Sequence, residues 1–562
     1  MNRLLSALTC ALLLAALVAV PAGAADDDVQ ATARDYVVVL AADASTADAQ
    51  AAVERAGGTV VRSNASIDTM LVRASSEDFI VDVSASADVV GAARNQPIGQ
   101  VPDEEPKADD VERLEAERAR ADEVAAAEEA SGSEPLASLQ WDMDVINATK
   151  AHHVTTASHK VRVGVMDTGI DASHPDIAAN FNRRLSRNFT VDIPLVDGPC
   201  EEDPDGSCED PADVDEDGHG THVAGTIGSP LNGKGIAGVA PDVSLVNLRA
   251  GQDSGYFFLQ PTVDALTYAG RRGIDVVNMS FYIDPWLFNC TANPADSPAE
   301  QLEQQAIIRA TQRALDFAHR RGVTLVAAEG NGHTDLGNPE FDPTSPDFPP
   351  GNERDRVVDN TCLNLPTEGR HVIGVTAIGP SLRKAYYSDY GLEQADVSAP
   401  GGDYYDFPGT DRFANPANLI LAPYPEALAI ANEEVDQDGV PTTPFVVRDC
   451  QDGECAYYQY LQGTSMASPH AAGVAALIVD RHGRRDWRRG GLTAPPRRVA
   501  KVLKRTANDK ACPRPRLQTY PELPTPDTSE FDAYCQGGVG RNGFYGHGIV
   551  DAFRAVLSRH HR

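Results

Sequence analysis

Two different patterns of apolar and polar positions divide the chain. Within residues 35–100, Tyr36-Val37-Val38-Val39-Leu40 reads as a buried strand and Ala47–Ala56 as a helix closed by Gly57-Gly58. Thr59-Val60-Val61 and Thr69-Met70-Leu71-Val72 read as further strands, so this stretch predicts a small α+β unit. From about residue 139 the pattern changes to short apolar runs alternating with amphipathic segments. Strands are expected at Val161–Met166, Val243–Leu248, Asp275–Met279, Val323–Ala328 and Val372–Ala377. Helices are expected at Thr262–Arg272, Glu303–Arg321, Ser465–His482 and Arg498–Ala507. Such alternation predicts an α/β fold with a doubly wound, mainly parallel sheet covered on both faces. Ligands of such sheets sit at the carboxyl ends of the strands.

The segments outside these two patterns have their own character. Residues 1–25 read as a secretory signal: Arg3, then an apolar stretch from Leu4 to Val20, then Ala22-Gly23-Ala24 as a small-x-small cleavage site. Seventeen residues are short for a spanning helix, so no membrane anchor is expected. Residues 101–138 are rich in Ala, Glu, Asp and Pro and read as an acidic linker, with a charged helix at 108–129. Residues 26–138 carry a net charge of −16 within a chain of 562 residues and net charge −34. An acidic surface repels phosphate backbones, so nucleic acid is not an expected partner. Eight cysteines lie beyond the signal, an even number that suits an exported, disulfide-bonded protein. The preferred pairs are Cys200–Cys208 and Cys450–Cys455, with Cys290–Cys362 and Cys512–Cys535 following.

Three short segments hold the residue types of an acyl-transfer site. An apolar strand ends in Asp167-Thr168-Gly169. A glycine-flanked pair of histidines follows in Asp217-Gly218-His219-Gly220-Thr221-His222-Val223-Ala224-Gly225. A serine opens an apolar helix in Gly463-Thr464-Ser465-Met466-Ala467-Ser468-Pro469-His470. Serine is a weak nucleophile and needs a base in reach. Histidine takes the proton near neutral pH, and a buried carboxylate fixes its tautomer. Each segment alone has a plainer reading, as a cap, a surface loop or an N-cap. A metal reading would use His219, His222 and Asp217.

Taken together and in this order, these segments resemble the three active-site motifs of subtilisin-like serine proteases, the subtilases. The resemblance covers about residues 139–560. It implies a secreted serine endopeptidase that forms an acyl-enzyme, with Asp167 orienting, His219 as base and acid, and Ser465 as nucleophile. After the strand Val326-Ala327-Ala328, the run Glu329-Gly330-Asn331 places Asn331 as the oxyanion-hole donor, with Ala328, Glu329 and Gly330 forming a wall of the specificity pocket. Ser280, Phe281 and Tyr282 resemble the substrate-lining strand. Glu329 replaces a small residue, so it is either a solvated side chain or an inward charge favouring basic substrates. Residues 26–100 resemble an inhibitor-like propeptide, cut from a peptidase domain at 139–562 somewhere in the linker. The implied partners are peptide or protein substrates and the chain's own propeptide. No cofactor is needed for the chemistry. Structural calcium is common in the family and has no assignable site here, although the acidic insertion at 196–217 is a candidate and a solvated, disulfide-stapled loop is the equal alternative. A second insertion at 402–460 is expected to build a rim around the cleft. The rival functions are a catalytically inactive, peptide-binding relative and a calcium-dependent adhesive protein.

Overall fold

The computed structural model describes residues 33–100, 134–194, 197–200, 207–281, 285–346 and 352–558. The signal segment, most of the linker, Tyr282 and part of the acidic insertion lie outside the described residues.

Seven parallel strands form the central sheet, in the order Ala395–Pro400, Val372–Ile378, Thr324–Ala328, Val276–Met279, Arg162–Met166, Ser244–Arg249, Arg187–Asn188. Alternate side chains of each strand enter opposite cores. Val163, Val165 and Val326 share one core with the helices His219–Gly228 and Thr464–His482. Val277, Met279, Leu325 and Ala327 share the other with the helices Leu259–Arg272 and Pro298–Arg320. Burial on both faces explains why these strands are apolar throughout rather than alternating.

The helix Pro298–Arg320 begins five residues before the expected Glu303. The run Ser297-Pro298-Ala299-Glu300 is a capping box in which Ser297 Oγ accepts from Glu300 N and Glu300 Oε2 accepts from Ser297 N. Apolar periodicity starts only after this polar first turn, so periodicity alone places the helix start too late.

Residues 34–94 form a separate four-stranded antiparallel sheet, in the order Thr59–Asn64, Thr69–Ala74, Arg34–Leu40, Val89–Arg94. One face carries Tyr36 and Val38 against Val53, Phe79 and Val83 of the two short helices Thr46–Arg55 and Phe79–Ser84. The other face carries Val37, Val39 and Ala93 into the core around Leu266, Ala306 and Ile307 of the helices Leu259–Arg272 and Pro298–Arg320. Polar bonds flank this contact. Glu303, fully buried, accepts from Arg94 N at 2.9 Å and Arg94 Nη1 at 3.0 Å, and Asn64 Nδ2 donates to Asp264 at 2.8 Å.

Within residues 402–460, a three-stranded antiparallel sheet forms, in the order Ile420–Tyr424, Glu454–Leu461, Val446–Gln451. All four expected disulfides are present: Cys200–Cys208, Cys290–Cys362, Cys450–Cys455 and Cys512–Cys535. Among the described residues, no helix is long and apolar enough to cross a membrane.

Candidate active site

Several candidate residues follow the carboxyl ends of adjacent central strands. Asp167 follows Met166 at the end of its strand and is fully buried. Its Oδ1 accepts from Thr168 N at 2.9 Å and lies 2.6 Å from Nδ1 of His219, the first residue of its helix. Close backbone approach makes this contact possible. A Cβ on Gly220 would stand 2.1 Å from the Gly169 carbonyl oxygen, so only glycine fits there. Asp215, absent from the sequence-derived candidates, braces the same turn. Its two oxygens accept from Thr168 Oγ1, Gly218 N, Thr221 N and Thr221 Oγ1. Its position, in the acidic run Asp215-Glu216-Asp217 ahead of Gly-His-Gly, was the available signal. Asp217 accepts from His219 N at 3.0 Å, and burial beside Asp215 pushes its carboxyl up to about 7.

The second histidine is structural. His222 is buried, with Nε2 3.0 Å from the Ile420 carbonyl oxygen and 3.1 Å from that of Gln459. Burial lowers its pKa to about 3, which keeps the ring neutral. It therefore fastens the insertion sheet to the His219 helix. Pro423 lies against Gly225, and Tyr424 and Leu428 lie against Gly218, so the sheet stands as a wall beside that helix.

Ser465 is the second residue of the helix Thr464–His482, which packs against the His219 helix. The Ser465 hydroxyl donates to the Ser280 carbonyl oxygen at 3.0 Å. In return, Ser280 Oγ donates to the Ser465 carbonyl oxygen at 2.9 Å, and Asn278 Nδ2 donates to Ser280 Oγ at 2.7 Å. The strand end at Met279 is thus bolted to the helix start.

Asn331 sits beside the same helix start. Its Oδ1 accepts from Thr464 N at 2.9 Å and from Thr464 Oγ1 at 2.8 Å. With the oxygen committed, the Nδ2 side of the amide is left to donate. The loop is shaped by Gly330, whose φ of +118° favours glycine. Asp389 holds that loop by accepting from Thr334 N at 2.7 Å, while its own N–H donates to the Gly330 carbonyl oxygen at 2.8 Å.

The remaining candidates follow the carboxyl ends of the neighbouring strands Val276–Met279 and Thr324–Ala328. Phe281 is buried and stacks on Phe257 with ring centroids 4.0 Å apart. Phe257 belongs to the strand Tyr256–Phe258, which pairs antiparallel with Pro97–Gln100. Ala328 and Gly330 flank Glu329, which is fully buried and therefore not a solvated side chain. Glu329 Oε2 accepts from Thr367 Oγ1 at 3.2 Å, and burial raises its pKa well above the ordinary 4.5. Burial favours its neutral form, which weakens the expectation of a negatively charged pocket.

Among the described residues, the carboxylates close enough to share a cation are Asp192, Asp210 and Asp253, not His219, His222 and Asp217. They do not suit a calcium ion as arranged. The guanidinium of Arg249, fully buried, stands among them and pairs with Asp210 at 2.8 Å and Asp253 at 2.5 Å.

The comparison that decides the family is a match of residues 158–548 to the Subtilase family model. The chain belongs to the subtilase family. This subtilase is a serine endopeptidase, and the family needs no cofactor for its chemistry. It is 27% identical over 348 residues to subtilisin DY of Bacillus licheniformis, covering 61% of this chain and 85% of that protein. Its fold resembles that of the epidermin leader peptide processing serine protease of Staphylococcus aureus, with a TM-score of 0.59 and 19% identity, covering 94% of this chain and 99% of the other. It also resembles fervidolysin of Fervidobacterium pennivorans, a keratinolytic enzyme related to subtilisin, with a TM-score of 0.55 and 19% identity, covering 94% and 61%.

Proposed function

We propose that Ser465 is the nucleophile of this subtilase, His219 its general base and acid, and Asp167 the carboxylate that orients the imidazole. The carrying observation is the buried 2.6 Å contact between Asp167 Oδ1 and His219 Nδ1, on a helix packed against the one that Ser465 opens. In the described conformation the Ser465 hydroxyl proton points at the Ser280 carbonyl oxygen. Attack on a peptide carbonyl requires that proton to pass to His219 Nε2, so the hydroxyl swings toward the imidazole first. The Ser465 oxygen then bonds the carbonyl carbon, and the oxyanion takes hydrogen bonds from Asn331 Nδ2 and the Ser465 N–H. His219 returns its proton to the leaving amine, and water releases the acyl group by the reverse path. Substrate pairs as an extended strand along Ser280 and Phe281, with Ala328, Glu329 and Gly330 at the pocket wall.

Residues 26–100 act as a self-inhibiting propeptide. The observation that supports this is the pairing of Pro97↔Phe258 and Gln100↔Tyr256, which lays the end of the N-terminal unit along the stacked Phe257–Phe281 rim as an added strand. A segment in that position occupies the path a peptide substrate needs. The segment from Glu134 onward belongs to the peptidase. Glu134 accepts from Gly233 N at 2.7 Å, and Gln140 exchanges two bonds with Ala237. Cleavage therefore falls within 101–133, and residues 1–25 direct export.

The test is hydrolysis of a generic peptide by secreted protein, combined with N-terminal sequencing. Ser465→Ala should abolish hydrolysis and leave the 26–100 segment attached. Residual hydrolysis in that variant, or an active enzyme that keeps Tyr36, refutes the corresponding part.

A further inference from the structure

The acidic balance of this chain conceals one strongly basic region. Residues 481–505 contain eight Arg, two Lys and a single acid, Asp486. The region begins with a hairpin in which Arg484 and Arg485 pair with Thr493 and Leu492. Asp486 closes its tip by accepting from Arg488 N at 2.9 Å, Arg489 N at 3.1 Å and Arg489 Nε at 2.8 Å.

The hairpin is rigidly seated. Arg489 Nη1 donates to the carbonyl oxygens of Gly270 at 3.1 Å and Arg321 at 2.8 Å, near the ends of two helices. Arg162 Nη1 donates to the Arg489 carbonyl oxygen at 3.1 Å, which ties the tip to the first residue of a central strand. The tip therefore lies at the amino ends of the strands. Asp167, Ser280 and Asn331 follow the carboxyl ends, so the catalytic cleft is on the other side of the sheet.

Six exposed arginines gather around this end: Arg272, Arg321, Arg484, Arg485, Arg488 and Arg497. Arg272 and Arg321 answer helix dipoles. On the hairpin, Arg489 bonds the helix-end carbonyl oxygens named above, whereas Arg484, Arg485 and Arg488 stand exposed. Two acids lie near this end and both are engaged: Asp316 with Arg370 at 2.7 Å and His371 at 3.4 Å, and buried Asp275 with Arg162 N at 3.0 Å. At the tip, Trp487 is 79% exposed with the Arg485 guanidinium 4.0 Å from its ring centroid. The other two tryptophans are inside, Trp286 buried and Trp141 donating to the Leu419 carbonyl oxygen.

We propose that this face docks the enzyme on an anionic phospholipid surface, with Trp487 entering the headgroup region and the surrounding arginines pairing with lipid phosphates. Tryptophan is favoured at a membrane–water interface because its ring is apolar and its N–H is polar. Each basic side chain near an anionic surface adds attraction that salt screens. Charge alone would equally suit a dissolved polyanion; the rigid, protruding indole favours the lipid interface. Docked this way, the enzyme holds its cleft away from the membrane and open to substrates in solution.

The test uses the full-length secreted enzyme with vesicles of phosphatidylglycerol and phosphatidylcholine, and with phosphatidylcholine vesicles alone. The enzyme should sediment only with the anionic vesicles, release on adding salt, and shift its tryptophan emission to the blue on binding. The triple variant Arg484→Gln, Arg485→Gln, Arg488→Gln should lower partitioning by roughly 100-fold, from about fivefold per cation. Trp487→Ala should weaken binding and remove the emission shift. Both variants should hydrolyse a soluble peptide at the wild-type rate, which shows that they fold. Equal sedimentation of wild type and the triple variant overturns the proposal. So does binding to heparin or single-stranded DNA that matches vesicle binding and ignores Trp487, which would assign the face to a soluble polyanion.

Discussion

Oδ1 of Asp167 and Nδ1 of His219 meet at 2.6 Å, both buried, although 52 residues separate them in the chain. The value of this contact is that it fixes which ring nitrogen carries a proton. Asp167→Asn keeps the shape and offers an amide that no longer imposes the right tautomer. The expected result is a fall in kcat of about 10⁴-fold with KM little changed, the scale seen in other Ser-His-Asp enzymes. Steady-state kinetics on a chromogenic peptide measure it, and a change confined to KM would contradict the role.

Asn331 presents a different kind of dependence, because its oxygen is spent on Thr464 and its nitrogen is left for the proposed oxyanion role. Asn331→Ala should reduce kcat by about 100- to 1,000-fold and leave KM near its original value, the cost found for the corresponding donor in subtilisin. Thr464→Val removes one of the two bonds that aim the amide and should cost less. A Thr464 variant as impaired as Asn331→Ala would mean that the hydroxyl itself touches the oxyanion.

Glu303 ties the N-terminal unit to the peptidase through both Arg94 bonds, from a fully buried position. Removing one partner of such a pair costs about 2 kcal/mol or more. Glu303→Ala should therefore weaken the hold on the cleaved unit by at least about 30-fold. Gel filtration after processing should show the unit co-eluting with wild-type enzyme and separating from the variant.

The buried Glu329 gives the enzyme a pH signature. Its pKa is raised by burial first, and then by Asp396, Glu368 and Asp389. The folded chain holds a proton that the unfolded chain releases above about 4.5. Stability from this group is thus complete below that pH and declines as pH rises toward the folded value, by up to about 1.4 kcal/mol per pH unit. Glu329→Gln should raise the melting temperature at neutral pH and leave it unchanged in acid. Since the carboxyl favours its neutral form, the same variant should keep the wild-type preference among peptides cut after Lys, Leu and Phe.

Much of this architecture was legible in the chain itself. Apolar runs such as Val163–Met166 and Val276–Met279 announce strands buried on both faces, and the three motifs supply the residues proposed as the reactive groups. Short local spacing suggested two of the disulfide pairs, while the other four cysteines still allowed three pairings, of which the expected one is present. What stayed hidden depends on contacts between distant segments. Nothing adjacent to Asp389 signals that it clasps the Gly330–Thr334 loop. Glu329 reads locally as a polar loop residue and is in fact enclosed by the neighbouring strand at Gly374 and by Thr367. Arg249, an isolated cation within an apolar strand, finds its acids at Asp210 and Asp253 only once the chain has folded.

Val37, Val39 and Ala93 lie in one continuous apolar contact with Leu266, Ala306 and Ile307. If the N-terminal unit is the proposed inhibitor, a cut between it and the peptidase would leave that oily seam untouched, and the nicked molecule would still be a plugged one. On the proposed maturation, the clock that starts proteolysis would be the slow departure or digestion of the severed piece. A burst of cleavage without a matching burst of activity is what an observer should see first.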